Sequence, residues 1–333
     1  MPFETRLSKS LGLKYPIVCA PMFIISNKEM LLACAEAGIL GAMPSLNART
    51  IQDLRNDLEW LRAKTDKPFA INMTIGLTDP NRLQEDVALC EEFEVPVWIT
   101  SYGNPTEFVR RAKAKGSTVF HDVVNLKHAL KAQSAGVDAI IGVAAGAGGH
   151  AGRISPYALY PYLAEHLDVP VIAAGCISTG RQIVASLALG AELVYMGTRF
   201  IASSECGATQ SYKEKVVECG PEDIVYTDKV SGVKANFIAE TVPTGDAGGS
   251  GQKRWKDIWS AGHGVAAEGR ERERADDEQG AVCSLSRGCH VRSCLQAVEL
   301  DPVGRRVPSV RPRAAPDRAA PSGCPERRRV SRG

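Results

Sequence analysis

The chain lacks several things that would mark other classes of protein. No apolar run reaches ~18 residues, so no membrane-crossing helix is expected. Its first residues, Met1-Pro2-Phe3-Glu4-Thr5-Arg6, do not follow the basic-then-apolar order of a signal peptide. Excess charge of either sign is also missing: 40 Lys and Arg stand against 38 Asp and Glu, a net +2, which gives no electrostatic reason to expect a nucleic-acid partner. Before residue 280 there is no CxxC and no Cys/His cluster with zinc spacing, so no metal site is expected. The 10 cysteines are scattered, several inside apolar patterns, which reads as buried reduced thiols and a cytoplasmic protein.

A second set of absences begins near residue 266. From Glu268 to Gly333 there is no Lys, Phe, Tyr or Trp, although Arg is abundant, as in Arg311-Pro312-Arg313 and Arg327-Arg328-Arg329. Such text buries too little apolar area to offset the entropy of ordering, so 266–333 is expected to be a disordered, dispensable low-complexity tail. It is either a basic arm for an acidic partner or the product of out-of-frame translation of a GC-rich gene; composition favours the second. Cys283, Cys289, His290 and Cys294 lie in this stretch and are discounted as a metal cluster for the same reason.

What remains, residues 1–265, alternates β-branched apolar runs with amphipathic segments. Candidate strands lie at 16–22, 38–44, 69–75, 95–102, 118–124, 138–145, 170–177 and 193–200. Candidate helices lie between them at 27–37, 50–64, 81–93, 105–115, 125–135, 156–166 and 179–189, and an extra segment follows at about 204–257. Nearly continuous apolar strands mean a parallel sheet covered by helices. Eight of them with seven crossovers predict a (β/α)8 TIM barrel, with a doubly wound open sheet as the alternative.

Polar residues gather at one end of these strands. The most informative stretch is Gly146-Ala147-Gly148-Gly149-His150-Ala151-Gly152, an imidazole set in bare backbone. Glycines let a backbone approach a flat ligand closely, and histidine can exchange a proton near neutral pH; a mobile loop with an incidental histidine is the plain alternative. After the seventh and eighth strands come Gly175-Cys176-Ile177-Ser178-Thr179-Gly180 and Gly197-Thr198-Arg199. A helix N-terminus beside a Gly-Thr turn is a phosphate cradle, although Ser178 or Thr179 would also serve as an ordinary helix cap. Cys176 reads as a small buried residue rather than a nucleophile, and His121 as a hydrogen-bonded strand-end histidine. His128 and His166 fall on helices and are expected to be solvated.

From about residue 5 to 265 the chain resembles the nitronate monooxygenase family, formerly 2-nitropropane dioxygenases. These are FMN-dependent barrels related to flavin-dependent enoyl-acyl-carrier-protein reductases and NADH:quinone reductases. The matching text is Pro16-Ile17-Val18-Cys19-Ala20-Pro21-Met22, Lys67-Pro68-Phe69-Ala70-Ile71-Asn72, Ala147-Gly148-Gly149-His150-Ala151-Gly152, Ile172-Ala173-Ala174-Gly175, Met196-Gly197-Thr198-Arg199-Phe200 and Ile258-Trp259-Ser260-Ala261-Gly262. The resemblance implies His150 as catalytic base, Met22 and Gly149 against the flavin ring, and Asn72 hydrogen-bonded to it. It implies Gly175, Gly197 and Thr198 on the FMN phosphate, with Ser260 and Gly262 closing over the cofactor. It further implies oxidation of alkyl nitronates, or nitroalkanes, by oxygen to carbonyl compounds and nitrite. The alternatives are an NAD(P)H-dependent flavin reductase acting on an enoyl thioester or quinone, and a non-redox barrel for a phosphorylated ligand. The expected partners are a small-molecule substrate and oxygen, with a homodimer left open. There are departures: Cys176 replaces a second glycine, tolerable if its φ is negative; His263 stands where glutamine is common; His121-Asp122 is unusual; and the helices that normally follow Ser260-Ala261-Gly262 are absent.

Overall fold

The computed structural model describes residues 4–243, 258–263 and 290–296. The chain divides into two compact units, Met1–Leu300 and Asp301–Gly333, of which the second lies wholly outside the described residues. In the first unit, strands β1 (Ile17–Cys19), β2 (Leu40–Pro44), β3 (Phe69–Thr74), β4 (Val97–Ser101), β5 (Thr118–Val123), β6 (Ala139–Val143), β8 (Val171–Ala174) and β9 (Leu193–Met196) form a closed barrel. All pairs are parallel, and β1 closes on β9 with Ile17 opposite Val194. This is the TIM barrel that the strand pattern predicts. Among the described residues no helix is long and apolar enough to cross a membrane.

Side chains alternate across each strand, which divides the apolar residues into two sets. Val18, Leu40, Ala42, Ala70, Val97, Ile99, Phe120, Ala139, Ile141, Ile172, Ala174 and Leu193 fill the barrel interior. Leu7 and Leu13 join them from α1 (Arg6–Ser10) and the turn after it, closing the N-terminal end. The intervening residues, such as Phe69, Ile71, Trp98, Ile140 and Val194, pack against the surrounding helices. The Trp98 indole N–H donates to the Val95 carbonyl at 3.1 Å, so its one polar atom is satisfied in the core.

Helices α2 (Lys28–Ala37), α3 (Ile51–Arg62), α4 (Pro80–Glu92), α5 (Thr106–Ala114), α6 (Leu126–Ser134), α7 (Pro156–His166) and α8 (Gly180–Ala188) supply the crossovers. Several start on a side-chain cap, among them Asn27, Thr50, Asp79, Asn125 and Thr179. After β9 come the short α9 (Thr198–Ile201), α10 (Gln210–Glu218) and a hairpin of β10 (Ile224–Thr227) and β11 (Ala235–Ile238). Strand β7 (Gly149–His150) pairs with β11, so a three-stranded antiparallel sheet, β10-β11-β7, lies on the glycine run.

Within the stretch expected to be a low-complexity tail, residues Val291–Gln296 form α11, with Val291, Cys294 and Leu295 buried against α2 and α9. The Val291 N–H donates to the Glu205 carboxylate, and Arg292 pairs with Glu36 on α2 at 3.6 Å. Three apolar residues on one face of a short helix suffice for this docking, a pattern too brief to register as periodicity. The rest of the expected tail lies outside the described residues, including Cys283 and Cys289.

A buried ion pair pins the loops at the C-terminal rim. Arg82 Nε donates to Asp86 Oδ1 at 2.7 Å, and Asp86 Oδ2 accepts from Ser45 Oγ at 2.7 Å. The same guanidinium donates to the Ser45, Ala48 and Arg49 carbonyls. Asp86 is fully buried, so its carboxylate depends on these partners. Arg82→Leu strands that charge, and we expect a loss of ~3–5 kcal/mol in urea unfolding. A loss below ~1 kcal/mol would show that the pair does not hold the rim.

Candidate active site

The C-terminal rim collects the polar strand ends. Strand alternation carries Asn72, Ser101, Asp122 and Tyr195 into the barrel interior, on the same faces as Ala70, Ile99, Phe120 and Leu193. Asn72 Nδ2 donates to the Ile99 carbonyl at 3.2 Å and to Ser101 Oγ at 2.9 Å. Ser101 Oγ donates to Asp122 Oδ2 at 2.6 Å. Burial pushes the Asp122 carboxyl up to about 6, against the lowering effect of the Ser101 hydrogen bond. Its Oδ1 and the Tyr195 hydroxyl are buried with no hydrogen-bond partner.

The alternation sends His121 the other way. It is buried among the residues between barrel and helices, its Nδ1 2.8 Å from Thr100 Oγ1. Burial lowers its pKa to about 4. It is therefore a neutral packing histidine, as its plain reading holds. His128 and His166 lie exposed on α6 and α7.

His150 sits on β7 at the mouth. Its ring meets Tyr102 edge-on, centroids 5.4 Å apart, and its Nε2 lies 3.3 Å from Ser231 Oγ. Desolvation lowers the His150 pKa, so the imidazole is neutral at neutral pH. Tyr102 stands in the left-handed region at φ 55°, as does Ile24 at φ 74°. Such strain in non-glycine residues concentrates at ligand sites. Phe23, Ile24, Leu77, Tyr102, Val124, Ile154 and Val233 are large, exposed apolar side chains, and each lies in a loop beyond a strand end.

The glycines are required by close approach. A Cβ at Gly262 would fall 2.8 Å from the Gly148 nitrogen, and one at Gly148 would fall 3.0 Å from the Gly262 nitrogen. Above Gly149, at φ 68°, a Cβ would meet nothing within 4 Å. The segment Ser260-Ala261-Gly262 thus lies directly on the glycine run. Its Gly262 N–H donates to Thr198 Oγ1 at 3.0 Å, and the Ser260 carbonyl accepts from the Tyr212 hydroxyl. Asn236 Nδ2 donates to the Ala147 carbonyl at 2.7 Å and anchors the run from β11. Met22 packs beside Gly197. Its N–H donates to Ser26 Oγ, and its carbonyl accepts from Asn47 Nδ2 and from the Ser26 N–H.

At the last two strands Thr179, not Ser178, caps α8, in a capping box with Gln182. Ser178 Oγ is buried and has no partner. A hydroxyl left over beside Gly175, Gly197 and Thr198 is what a phosphate oxygen takes up, so the residues present fit a phosphate-bearing planar cofactor. The sequence condition on Cys176 is overturned: its φ is +59°, not negative. The turn needs the left-handed conformation there, and the thiol is held by the Ala145 carbonyl at 3.4 Å. Burial raises the Cys176 pKa, which rules out an activated thiolate.

Such a mouth places the chain among the flavin-dependent (β/α)8 oxidoreductases. More narrowly, it belongs to the nitronate monooxygenase family, whose family model matches residues 4–244. The chain is 32% identical over 231 residues to the (3aS,4S,5R,7aS)-5-hydroxy-7a-methyl-1-oxo-octahydro-1H-indene-4-carboxyl-CoA dehydrogenase of Rhodococcus jostii. That match covers 69% of this chain and 64% of the relative, just under two thirds of its length. It is 28% identical over 282 residues to a probable nitronate monooxygenase of Staphylococcus saprophyticus, covering 72% of this chain and 79% of that one. Among solved structures it is similar to FabK from Thermotoga maritima, with 37% identity, a TM-score of 0.66, and coverage of 71% and 75% of the two chains.

Sequence reasoning passed over Ser178, Tyr102, Ser231 and Asn236 as site residues. Only Ser178 left a signal, because two adjacent residues cannot both cap one helix. The Cys176 turn is open to a direct check. Cys176→Gly should leave stability within about 1 kcal/mol of wild type, because relief of left-handed strain offsets the extra freedom of unfolded glycine. Cys176→Val should cost about 2 kcal/mol. Equal urea midpoints for the valine variant and wild type would contradict the strained turn.

Proposed function

We propose that the protein is an FMN-dependent enzyme that oxidises alkyl nitronates with oxygen to carbonyl compounds and nitrite. The observation that carries this reading is His150, a neutral imidazole on a bare glycine bed at the barrel mouth. Gly175, Gly197, Thr198 and the Ser178 hydroxyl would hold the single phosphate. Met22 and Gly149 would flank the ring, Asn72 would hydrogen-bond it, and Ser260 and Gly262 would close over it. FMN supplies the electron transfer that no side chain here can perform. FMN rather than FAD is expected because one cradle serves one phosphate, and flavin released from the protein and chromatographed checks this. All of these FMN-binding residues fall within 1–265, and the enzyme acts in the cytoplasm on a small-molecule substrate and oxygen.

The residues' own work is positioning and one proton transfer. A nitronate has already lost its α-proton and needs only to be seated. A neutral nitroalkane needs a base, and the His150 imidazole, whose pKa desolvation of the ring lowers, is available to take that proton. The exposed apolar rim offers van der Waals contact to the substrate's alkyl body.

His150→Ala should lower kcat/KM for neutral nitroalkanes by ~10²–10⁴-fold, with less effect on preformed nitronates and with the flavin retained. Equal losses on both substrates in paired oxygen-consumption assays would reassign His150 to substrate binding. The sign of the pH effect follows from desolvation. The active form is the neutral imidazole, so nitroalkane kcat/KM should fall on acidification with its limb below the ordinary histidine value of 6.5, and nitronate turnover should lack that limb. A limb above 6.5 would contradict a desolvated base.

A second reading is NAD(P)H-linked redox chemistry on a thioester. It is supported by the 32% identity to a dehydrogenase whose name specifies a carboxyl-CoA substrate. Anaerobic mixing separates the two: flavin bleached by a nitronate and not by NADH supports the first, and the reverse result supports the second.

A further inference from the structure

Resting on the reading of Asn72 as a flavin contact, we infer that Asp122 is a positioning residue. Acting through Ser101, it orients the Asn72 amide so that its carbonyl oxygen is the atom offered to the cofactor.

The argument is one of donors and acceptors. A side-chain amide has two N–H donors on Nδ2 and one acceptor oxygen. Both Asn72 donors are spent, on the Ile99 carbonyl and on Ser101 Oγ. Its Oδ1 makes no hydrogen bond among the described residues. A hydroxyl has one proton, and Ser101 gives its proton to Asp122 Oδ2 at 2.6 Å. Ser101 can therefore only accept from Asn72, and it cannot donate to a flipped amide oxygen. The flipped amide would also face the Ile99 carbonyl, oxygen to oxygen. The chain runs one way, Asn72 to Ser101 to Asp122, across three neighbouring strands, and Asp122 is its terminal acceptor. With its pKa raised only to about 6, Asp122 is a carboxylate at neutral pH, where its oxygens can only accept, and that fixes the direction of the chain.

All three side chains face the barrel interior. Asn72 and Ser101 come from β3 and β4, and Asp122 comes from β5. The preceding inward residues on the same strands, Ala70, Ile99 and Phe120, are apolar, and the polar groups begin only here. A buried carboxyl is retained there at the expense of desolvation. The ring group that Asn72 meets must then be an N–H donor.

The test compares variants that keep or remove the acceptor. Asp122→Asn can present its own amide oxygen to Ser101, and Ser101→Thr keeps the hydroxyl. Both should bind FMN within about threefold of wild type. Asp122→Leu and Ser101→Ala should weaken FMN binding about tenfold, as the loss of one oriented hydrogen bond predicts, and should shift the flavin visible bands. In the apoprotein, exchange of the Asn72 side-chain amide protons, read by NMR, should be about tenfold faster in the same two variants and unchanged in the conservative two. If Asp122→Leu does not fold, the Ser101→Ala and Ser101→Thr pair carries the comparison. Wild-type FMN affinity, spectrum and amide exchange in Ser101→Ala would overturn the proposal, and so would Asp122→Asn behaving as badly as Asp122→Leu. Absence of any FMN binding by wild type, with the exchange pattern intact, would sink the flavin reading while leaving the positioning chain standing.

Discussion

Closing eight strands into a barrel gives each residue only two directions, inward or outward, and nearly everything at the mouth follows from that alternation. The inward set is apolar from the α1 end through the middle layers, where Leu7, Val18, Phe120 and Ile141 leave no room for polar atoms. It turns polar only at the last inward position of several strands. The same rule that buries Phe120 inside carries Asp122 inside two residues later and sends His121 out. Two adjacent titratable residues therefore have opposite fates. The outward histidine is reduced to a packing group against Thr100, and the inward carboxyl becomes part of a hydrogen-bonded layer beneath the mouth.

Above that layer the glycine run works by omission. Gly148 and Gly262 approach so closely that a side chain at Gly262 would clash with backbone and one at Gly148 would crowd it, and this lets the segment at 258–263 lie on the run while Thr198 takes up the Gly262 N–H. The hairpin of β10 and β11 serves the same purpose from the other side, because pairing with β7 turns a loop into a registered strand. His150 is then carried on an element with fixed register, its ring lodged between Tyr102 and Ser231. A side chain on a registered strand keeps a more fixed position than one on a free loop.

The barrel was legible because its strands are continuous apolar runs and its helices carry caps at their starts, signals that are local in sequence. The glycine run and the Gly-containing turns after the last two barrel strands were legible for a related reason: each is a short string whose backbone demands are set by its own residues. What escaped were contacts between distant segments. Ser231 reaches His150 across 81 residues, and Asn236 reaches Ala147 across 89, and no local pattern announces either. The sign of φ at Cys176 was left open by the sequence, because a turn's hand depends on what packs beside it, here the Ala145 carbonyl. The helix at Val291–Gln296 was missed because composition was averaged over a long stretch in which only three residues matter.

The seam between β1 and β9 has a consequence in time. These two strands pair directly, Ile17 against Val194 and Cys19 against Met196, although the whole sheet separates them along the chain. During synthesis at ~5–20 residues per second, β1 emerges first and must wait on the order of ten seconds or more for its partner. Over that interval its outer edge is an unpaired row of backbone donors and acceptors flanked by apolar side chains, open to any other strand in reach. Nascent chains of this protein are thus most vulnerable to intermolecular pairing just before the seam is sewn, and slower translation through the eighth barrel strand would lengthen that exposure.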